Sequence, residues 1–527
     1  MAASYHSRRA MYHAGEGDHA SKMGAETIVV GAGSAGAVIA SRLSENAAHS
    51  VLLVEAGPDY PPGQPLPVDL AWGGWNSMIK HDWKLWHRTR AGGIRLPLPR
   101  GRVVGGSSAV NTCIALRGQP EDFDEWGALG LTEWSWERCL PAFLRLERDL
   151  DFATAWHGRE GPLPVRRHAR EEWVPWQRAF VEACLEAGHP YCEDSNEPGK
   201  AGVGPHTMNK VDGRRVSVAE AYLSFAVRQR ENLAIRSDTL IRRVLFRQRR
   251  VVGIEIIGPR GSESIPTNRV VLSAGAIHTP GILLRSGIGP AETVRKLGGE
   301  TLVDAPAVGR RLFDHPGFAM FLRPRWKSGT SRRHPLLQTV LRYRSGQRAH
   351  PADMLLQPGS TVALPRFNLP LVSIMGAIGK PRGHGRLHWD SRDAMAAPRI
   401  ESRLLEDPGD LELAVSAMRI AFDLAQRRPL RAIAEMLWPG SSVFRHPDDI
   451  RRWVVTACDS GYHPCGSVPM GVSPGPEAAV DGRGRVFGVE GLYVADASIM
   501  PTIPSSNIHL PTLMLAERIA EWLAQIR

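Results

Sequence analysis

Short, uninterrupted apolar runs alternate with glycine-rich turns at the start of the chain. Residues 27–30 (TIVV) and 51–54 (VLLV) are apolar apart from Thr27, which is typical of strands buried on both faces of a parallel sheet. The segment between them opens with small residues and then predicts a helix from about Ser34 to Ser44. The pattern therefore predicts a β–α–β unit that begins near Glu26.

Further along the chain, the apolar pattern changes its period. Alternating positions over residues 233–257 predict the strands of a hairpin or meander, and helical spacing predicts a long helix at Pro408–Gln426. The other predicted elements are a helix over residues 134–150, strands at Arg269–Ser273, Leu371–Ala377 and Gly491–Ala495, and a helix at Pro511–Ile526. Because residues 455–527 return to strand, turn and helix, we expect one domain built from separated segments, with a second domain inserted.

Composition excludes several classes of protein. The 527 residues carry 65 Lys and Arg against 54 Asp and Glu, a formal net charge of +11. The arginines are scattered, so we interpret the charge as a solvated surface, with steering of an anionic partner as the alternative, and we expect no nucleic-acid partner. No stretch reaches the roughly 18 apolar residues of a membrane helix, so no transmembrane segment is expected.

The cysteines and the first residues bear on the cellular compartment. None of the six cysteines forms a CxxC pair, and we expect reduced thiols in a cytoplasmic protein. Residues 1–23 contain Ser7-Arg8-Arg9, but no apolar core follows, as an export signal would require. We interpret residues 1–23 as a disordered tail, or as an over-long start with Met23 as the true initiator.

A GxGxxG motif lies directly after the first predicted strand, at residues 31–36 (GAGSAG). Gly31 permits a tight turn, Gly33 lets the backbone approach a pyrophosphate, and Gly36 lets helix and strand pack closely. The helix beginning at Ser34-Ala35 offers free N–H groups to phosphates. Glu55 ends the second strand and is followed by Ala56; a carboxylate there can accept hydrogen bonds from ribose hydroxyls. The alternative, a purely structural turn, leaves Glu55 unexplained.

A second glycine cluster at residues 101–111 (GRVVGGSSAVN) indicates which dinucleotide is bound. It could be a plain loop. However, small residues in series let a backbone lie against a flat ring, with free N–H groups facing flavin heteroatoms. This favours FAD over NAD, and the candidate contacts in this cluster are Arg102, Val104, Gly105, Gly106, Ser107 and Asn111.

At this point the chain resembles the glucose–methanol–choline (GMC) oxidoreductase family, in particular its choline-dehydrogenase-like bacterial branch. The blocks that carry the resemblance are Ile28–Gly57, Gly101–Asn111 with Arg117-Gly118, Ser273–Pro290, Val308–Arg310 with Asp314-His315-Pro316, and His463–Ser467 through Ala495–Ser498 to Asn507 and the last helix. Their order and spacing cover nearly the whole chain from residue 26. Residues 1–23 match nothing, and residues 320–350 are poorly matched and are assigned to substrate access.

The resemblance implies a fold that is α/β plus α+β. A Rossmann-like FAD-binding domain would comprise residues 24–155, 210–318 and 455–527. The inserted substrate-binding domain, with an antiparallel sheet, would comprise residues 156–209 and 319–454. FAD would be non-covalent, because relatives that attach it use a His where this chain has Val110.

Further cofactor contacts are implied by the resemblance alone. They are Ile241, Ala274, Gly275, Asp496, Ala497, His509, Pro511 and Thr512. Asp496 is placed near the pyrophosphate or ribityl chain, Ile241 near the adenine, and His509 and Pro511 near the pyrimidine edge of the flavin. For Asp496 the alternative is a capping residue in a turn. No metal site is expected.

The catalytic pair implied by the resemblance is His463 and Asn507. His463 lies where the family has its active-site His, and Asn507 lies where relatives carry a second His or an Asn. A neutral His can accept a proton, and an amide can hold the substrate oxygen. The alternative is a core His beside a turn-forming Asn. His509 is the rival for the second position.

The function implied is oxidation of an alcohol to a carbonyl, with a His base and hydride transfer to flavin N5. The alternatives are an FAD-containing lyase of the hydroxynitrile lyase type, other unusual flavin chemistry, and an inactive FAD-holding interaction protein. We expect a medium-sized, mostly apolar primary alcohol, because no cation cage can be placed. The expected electron acceptor is dye-like, a quinone or a redox protein rather than oxygen.

Overall fold

The computed structural model describes residues 25–73, 80–259, 261–363 and 368–526. The predictions for residues 1–23 and for Met23 lie outside these ranges. The predicted fold class is confirmed: a parallel sheet with helices occupies one part of the molecule, and a large antiparallel sheet occupies another.

Within the described ranges, the parallel sheet has five strands. Their order across the sheet is Leu233–Arg236, Val51–Val54, Thr27–Val30, Val270–Leu272 and Leu492–Val494. The three central strands are buried at every position, which explains their continuous apolar sequences. The interpretation of residues 233–257 as one hairpin or meander is therefore wrong at its start, because Leu233–Arg236 joins this sheet instead.

The remaining strands form antiparallel or mixed sheets and one short parallel pair, Ile288–Gly289 with Val303–Asp304. The large antiparallel sheet consists of Ala434–Trp438, Pro316–Pro324, Val372–Ile378, Met354–Gly359, Thr339–Tyr343 and Gly202–Pro205, with Asp459–Ser460 paired to the second of these. A meander consists of Leu240–Arg247, Arg250–Gly258 and Gly261–Pro266. Smaller sheets consist of Arg386–His388, Arg399–Glu401, Leu85–Arg88 and Arg95–Leu98; of Glu147–Asp149, Leu163–Arg167 and Thr207–Met208; and of the pairs Lys210–Val211 with Arg214–Arg215, Ile288–Gly289 with Val303–Asp304, and Val362–Ala363 with Asn368–Leu369.

The helices follow the predicted pattern with changed ends. The α-helices are Ser34–Leu43, Val68–Ala71, Pro120–Ala128, Trp136–Leu146, Pro175–Glu186, Val218–Ala221, Phe225–Arg228, Gly275–Arg285, Ala291–Lys296, Pro408–Gln426, Arg428–Ile433, Pro447–Ala457 and His509–Ala524. The short 3₁₀ helices are Gly106–Ala109, Thr132–Trp134, Arg170–Glu172, Ser441–Phe444 and Ala497–Ile499. The helix predicted over residues 134–150 ends at Leu146, because the chain turns there into the strand Glu147–Asp149.

Residues far apart in sequence pack together around the parallel sheet. The helix His509–Ala524 is buried along almost its whole length and packs on Ser34–Leu43. Arg42 Nε donates to both oxygens of the buried Glu517 carboxylate, at 3.1 and 2.9 Å. Tyr222 Oη also donates to Glu517, at 2.7 Å. The first and last segments of the domain are thus joined by both apolar and ionic contacts.

The described cysteines and helices bear on the expectations about disulfides and membrane-spanning segments. All six cysteines lie in the described part of the chain, and all are buried and free of disulfides. Across the described ranges, none of the helices combines the length and apolar character that a membrane-spanning segment requires.

Candidate active site

Two positions in the first glycine turn have no room for a side chain, so only glycine fits there. Gly31 has φ of +94°, and a Cβ there would lie 2.6 Å from the Ser273 carbonyl oxygen. A Cβ on Gly36 would lie 1.8 Å from the Gly31 carbonyl oxygen. The turn and its helix therefore pack directly on the neighbouring strand, as the motif predicts.

Two helix N-termini lie at one cavity. Ser34–Leu43 and Gly275–Arg285 have no acidic residue in their first turns; the N-cap of the first offers no side-chain hydrogen bond, and Asp496 Oδ2 accepts from the Gly275 N–H at the start of the second. Ser34, Ala35, Gly275 and Ala276 line the cavity. Free N–H groups and the positive ends of helix dipoles make this part of the cavity suited to a diphosphate.

Glu55 lies at the end of the second strand, inside the wall of the same cavity. Its Oε2 accepts from the Ala32 N–H and its Oε1 accepts from the Gly57 N–H, both at 2.9 Å. Burial raises the pKa of Glu55 to about 7, against these hydrogen bonds, which favour the charged form. The carboxyl group is therefore fixed in place at the entrance of the glycine turn.

The backbone of the second glycine cluster packs directly against the backbone of the first. Gly105 has φ of +101° and Gly106 has φ of +51°, and a Cβ on Gly106 would lie 2.6 Å from the Gly33 Cα. The Gly105 N–H donates to the Ala32 carbonyl at 2.8 Å. The two clusters thus form adjoining parts of one wall with very little side-chain bulk.

Most of the predicted site residues line this cavity. They are Gly31, Gly33, Ser34, Ala35, Glu55, Ala56, Gly106, Ser107, Asn111, Ile241, Ala274, Gly275, Asp496, Ala497, His509, Thr512, His463 and Asn507. Others lie behind the wall: Gly36 in the helix contact, Arg102 donating to the Ala56 carbonyl, Val104 donating to the Pro58 carbonyl, Gly105 beside Ala32, and Pro511 within the last helix. These five support the wall rather than form its surface.

Several lining residues were not predicted from the sequence. They include Trp83, Arg100, Thr112, Ile114, Thr239, His278, Arg285, Ala394 and Tyr462. The Trp83 and His278 rings pack against each other at a tilt of 38°, with centroids 4.1 Å apart. Tyr462 and His278 lie in or beside the matched sequence blocks, so position relative to those blocks was a usable signal for them. The same signal was available for Arg285, whereas Trp83 and Ala394 lie outside the blocks and only tertiary folding brings them to the wall.

His463 and Asn507 meet at the wall of the cavity. The Asn507 Nδ2 group donates to His463 Nε2 at 3.0 Å. The Asn507 Oδ1 atom is buried and has no hydrogen-bond partner among the described residues. Two side chains from different loops thus present an acceptor nitrogen and an amide to the same space.

A third residue, His315, lies behind His463. The two Nδ1 atoms are 2.9 Å apart, and the rings meet edge to face with centroids 5.0 Å apart. Burial, the neighbouring His315 and Arg100 hold the pKa of His463 well below 6.5. The ring is therefore neutral at neutral pH and free to accept a proton.

A buried ion cluster holds the loop that carries Asn507 in place. Asp122 Oδ2 accepts from Ser505 Oγ at 2.6 Å, and Lys380 Nζ donates to the Ile503 carbonyl at 2.8 Å. Against the effect of burial, Lys380 and His350 hold the pKa of Asp122 below its usual range. These contacts fix the residues immediately before Asn507.

Asp496 has the capping geometry considered as the alternative, and it also lies at the cavity. It lines the cavity, and its Oδ1 accepts from the Ser498 N–H at 2.8 Å, as a capping residue does. Its Oδ2 accepts from the Gly275 N–H at 2.9 Å and from Thr279 Oγ1 at 2.6 Å. Asp496 therefore ties the last strand of the parallel sheet to the start of a helix that faces the cavity.

The only cluster with metal-ligand geometry among the described residues lies outside the cavity. It consists of Glu147, Asp149 and His157. Arg117 Nη2 donates to Glu147, and Arg167 Nη1 donates to Asp149 at 2.8 Å. Burial opposes a charge on His157, but its hydrogen bonds to these carboxylates and to Asp194 raise its pKa to about 10. The cluster is a network of ion pairs.

The cavity suits FAD in its shape and polarity. It runs from Glu55 past two helix N-termini to Asn111, His463 and Asn507, so one wall offers a ribose acceptor, diphosphate donors and a flat surface of small residues. The His509 and His278 Nε2 atoms are buried there without protein partners in the described part of the chain. Unpartnered polar atoms along a narrow cavity indicate a polar ligand.

The chain is similar to known proteins over most of its length. Family models described as GMC oxidoreductase match residues 25–317 and 381–516. The chain is 34% identical to 5-(hydroxymethyl)furfural oxidase of Methylovorus sp. (strain MP688), over 94% of this chain and 97% of that one. It is 32% identical to oxygen-dependent choline dehydrogenase of Rhizobium etli, over 95% of each chain. The crystal structure of pyridoxine 4-oxidase from Mesorbium loti matches with a TM-score of 0.87 at 31% identity, over 94% of this chain and 99% of that one.

Proposed function

The chain belongs to the GMC oxidoreductase family and is an FAD-dependent enzyme that oxidises an alcohol to a carbonyl, and we propose that His463 is its catalytic base and Asn507 the partner of that base. The observation that carries this proposal is the 3.0 Å contact between Asn507 Nδ2 and His463 Nε2 at the cavity wall. The lyase and the inactive interaction protein gain no support from the relatives.

The reaction can be assigned to this chain's own groups. When bound, FAD supplies the two-electron acceptor for the hydride that leaves the carbinol carbon. His463 Nε2 takes the proton as the hydroxyl O–H bond breaks, and the ring becomes an imidazolium. Asn507 Nδ2 donates to His463 Nε2 in the structure; with substrate bound, it would donate to the substrate oxygen instead and so fix the direction of the carbinol C–H bond. The oxygen is left as the carbonyl of the product.

We propose that the predicted cofactor residues that line the cavity hold FAD without a covalent bond. Glu55 would receive the adenosine ribose, the N-termini at Ser34 and Gly275 the diphosphate, and Gly106, Ser107 and Asn111 the flavin. Val110 also lines the cavity and offers no ring nitrogen for attachment.

We propose an uncharged, mostly apolar primary alcohol as the substrate. Among the described lining residues, the carboxylates are Glu55 and Asp496, and both already accept backbone N–H groups at the nucleotide end. In that set, no carboxylate lies beside His463 to balance a quaternary ammonium group. This would separate the chain from the choline dehydrogenases in substrate while leaving the chemistry shared.

The electron acceptor and the division into domains are also proposals. A quinone, a redox protein or a dye-like acceptor remains our proposal; the names of the oxidase relatives favour oxygen, so peroxide formation should be measured beside dye reduction.

We propose a cytoplasmic location and the domain boundaries given above. One hydrophobic cluster holds the parallel sheet and another holds most of the large antiparallel sheet with Pro408–Gln426, which supports that division.

The test is anaerobic reduction of the bound flavin by a panel of primary alcohols. The wild-type protein should bleach with at least one of them, and the rate should identify the substrate. His463→Ala should keep its FAD and slow reduction by a factor on the order of 10²–10⁴. Wild-type rates in this variant with the same alcohol would contradict the assignment of the base.

A further inference from the structure

The ring of His463 is held at both nitrogens, and the outer contacts decide which nitrogen carries its proton. His315 Nε2 lies 2.9 Å from the Pro504 carbonyl oxygen. A carbonyl can only accept, so His315 Nε2 must carry a proton and donate it. The position of one hydrogen in the cluster is therefore fixed by a backbone group.

The positions of the hydrogens on His315 Nδ1 and His463 Nδ1 follow from this assignment. Burial lowers the pKa of His315 to about 4, against hydrogen bonds to the backbone of Pro504 and Gly379, so its ring is neutral. A neutral imidazole carries one N–H only, which leaves His315 Nδ1 as a bare acceptor. The His463 Nδ1 atom, 2.9 Å away, must then be the donor.

We propose that His315 is a positioning residue that holds His463 in the tautomer with its proton on Nδ1, so that the bare Nε2 faces the cavity; this rests on the proposed role of His463 as the base. The orientation of Asn507 agrees independently, because its NH₂ group, a donor, faces His463 Nε2 at 3.0 Å. Without His315, the proton could occupy Nε2 and block uptake of the substrate proton.

The backbone holds the two rings in register. Asp314 Oδ1 accepts from the His315 N–H at 2.8 Å and from the His463 N–H at 2.9 Å. Asp314 Oδ2 accepts from Ser460 Oγ, and Ser460 Oγ accepts from the Tyr462 N–H at 2.8 Å. His315 is 2% exposed, so it reaches neither solvent nor substrate and acts through His463.

Substituting His315 separates this role from simple packing. His315→Phe keeps a ring and removes the acceptor, and His315→Asn places an amide oxygen close to the former Nδ1 position. We expect the Phe variant to retain FAD and substrate affinity while flavin reduction slows about 10- to 100-fold, the usual effect of removing an outer partner. His315→Asn should recover most of the rate. Equal rates for the wild-type and Phe proteins, or equally slow rates for Phe and Asn, would overturn the proposal.

A spectroscopic measurement on the wild-type holoenzyme tests the same point without a substitution at His315. In holoenzyme labelled with ¹⁵N-histidine, the His463 signals are those missing from the spectrum of His463→Ala. We expect a protonated Nδ1 and a bare Nε2, which resonate far apart; a protonated Nε2 would overturn the tautomer assignment. If His463→Ala itself retains the wild-type reduction rate, the proposed function fails first, and the two failures are thereby distinguished.

Discussion

At the scale of single residues, Asn507 and His315 act on opposite nitrogens of the same ring. Asn507 offers a donor to Nε2, and His315 offers an acceptor to Nδ1. Both contacts require a neutral His463 with one defined hydrogen. A change at either contact should therefore alter the protonation of the base as well as its position.

Asn507→Asp should be more harmful than Asn507→Ala. A carboxylate about 3 Å from Nε2 would favour a proton there and raise the pKa of His463, so the base would be charged before substrate arrives. We expect flavin reduction in the Asp variant to be slower than in the Ala variant by roughly tenfold or more. Stopped-flow reduction at matched FAD content measures this, and an Asp variant that outperforms the Ala variant would contradict it.

The sequence identified the residues proposed to react and missed those that hold them. His463 and Asn507 were predicted because each lies in a distinctive block, and both line the cavity. The role of His315 was not predicted, although it lies in a matched block, because its contact with His463 joins positions 148 residues apart. Such a contact depends on the fold and leaves no local pattern. The catalytic roles themselves stay predictions until they are tested.

At the scale of elements, a substitution in the glycine turn can separate the space that the protein itself needs from the space that a bound diphosphate needs. Gly33 has extended backbone angles that alanine adopts, and a Cβ added there would lie no closer than 3.8 Å to Gly106 Cα. An added methyl group is therefore tolerated by the protein and would intrude only on a bound diphosphate.

Gly33→Ala should fold normally and bind FAD poorly. We expect a loss of affinity of roughly tenfold or more, about 1.4 kcal/mol, because the methyl group occupies the space of the closest phosphate approach. Gly475→Ala is the matched control, since its Cβ would have no neighbour within 4 Å and it lies outside the cavity wall. FAD titration of the apoproteins, with circular dichroism as the folding check, measures the difference. Unchanged affinity in Gly33→Ala would argue against a diphosphate at this turn.

Elements with local signals were predicted well, and elements that depend on distant partners were not. Pro408–Gln426 was predicted with the observed bounds, because helical spacing and an N-terminal proline are local features. Leu233–Arg236 was assigned to a meander because its neighbours alternate, yet it pairs with Val51–Val54. The choice of a strand's partner depends on the sheet, which the sequence of four residues does not specify.

At the scale of the whole molecule, buried neutral histidines link stability to pH. Burial lowers the pKa of His206 and His278 to about 3, of His315 and His509 to about 4, and of His463 well below 6.5. Below about pH 6.5 the unfolded chain binds protons at these positions while the folded protein does not, so acidification favours unfolding. Glu55, with its pKa raised to about 7, opposes this, as do Asp314 and Asp496 with raised pKa values.

We expect Tm to fall as the pH is lowered from about 7.5 to about 5, because the histidines with lowered pKa values, which also include His168, outnumber the opposing groups with raised pKa values, which also include Asp82 and His157. Each histidine contributes up to about 1.4 kcal/mol per pH unit within the window between its two pKa values. Thermal unfolding at constant ionic strength measures the trend. A Tm that is constant or rises on acidification would contradict the assignment of these rings as buried and neutral.

The overall architecture could be predicted because its signals are spread along the chain. The glycine turns, Glu55 and the segment from His463 to Asn507 together indicated a Rossmann-like domain, and the fold class is confirmed. Other parts of the cavity lining could not be specified, because Trp83 and Ala394 reach it from segments outside the matched blocks. The identity of the alcohol depends on such residues.

The order in which the ribosome makes these parts sets when FAD can be loaded. The glycine turn at Gly31 emerges early, but Leu492–Val494 completes the sheet and His509–Ala524 packs on the helix after that turn. A nascent chain that stops short of residue 492 has a phosphate-binding turn without the opposite wall and without His509 or Asn507. We therefore expect FAD to bind only after residues 492–524 have been synthesised and have folded onto the earlier segments.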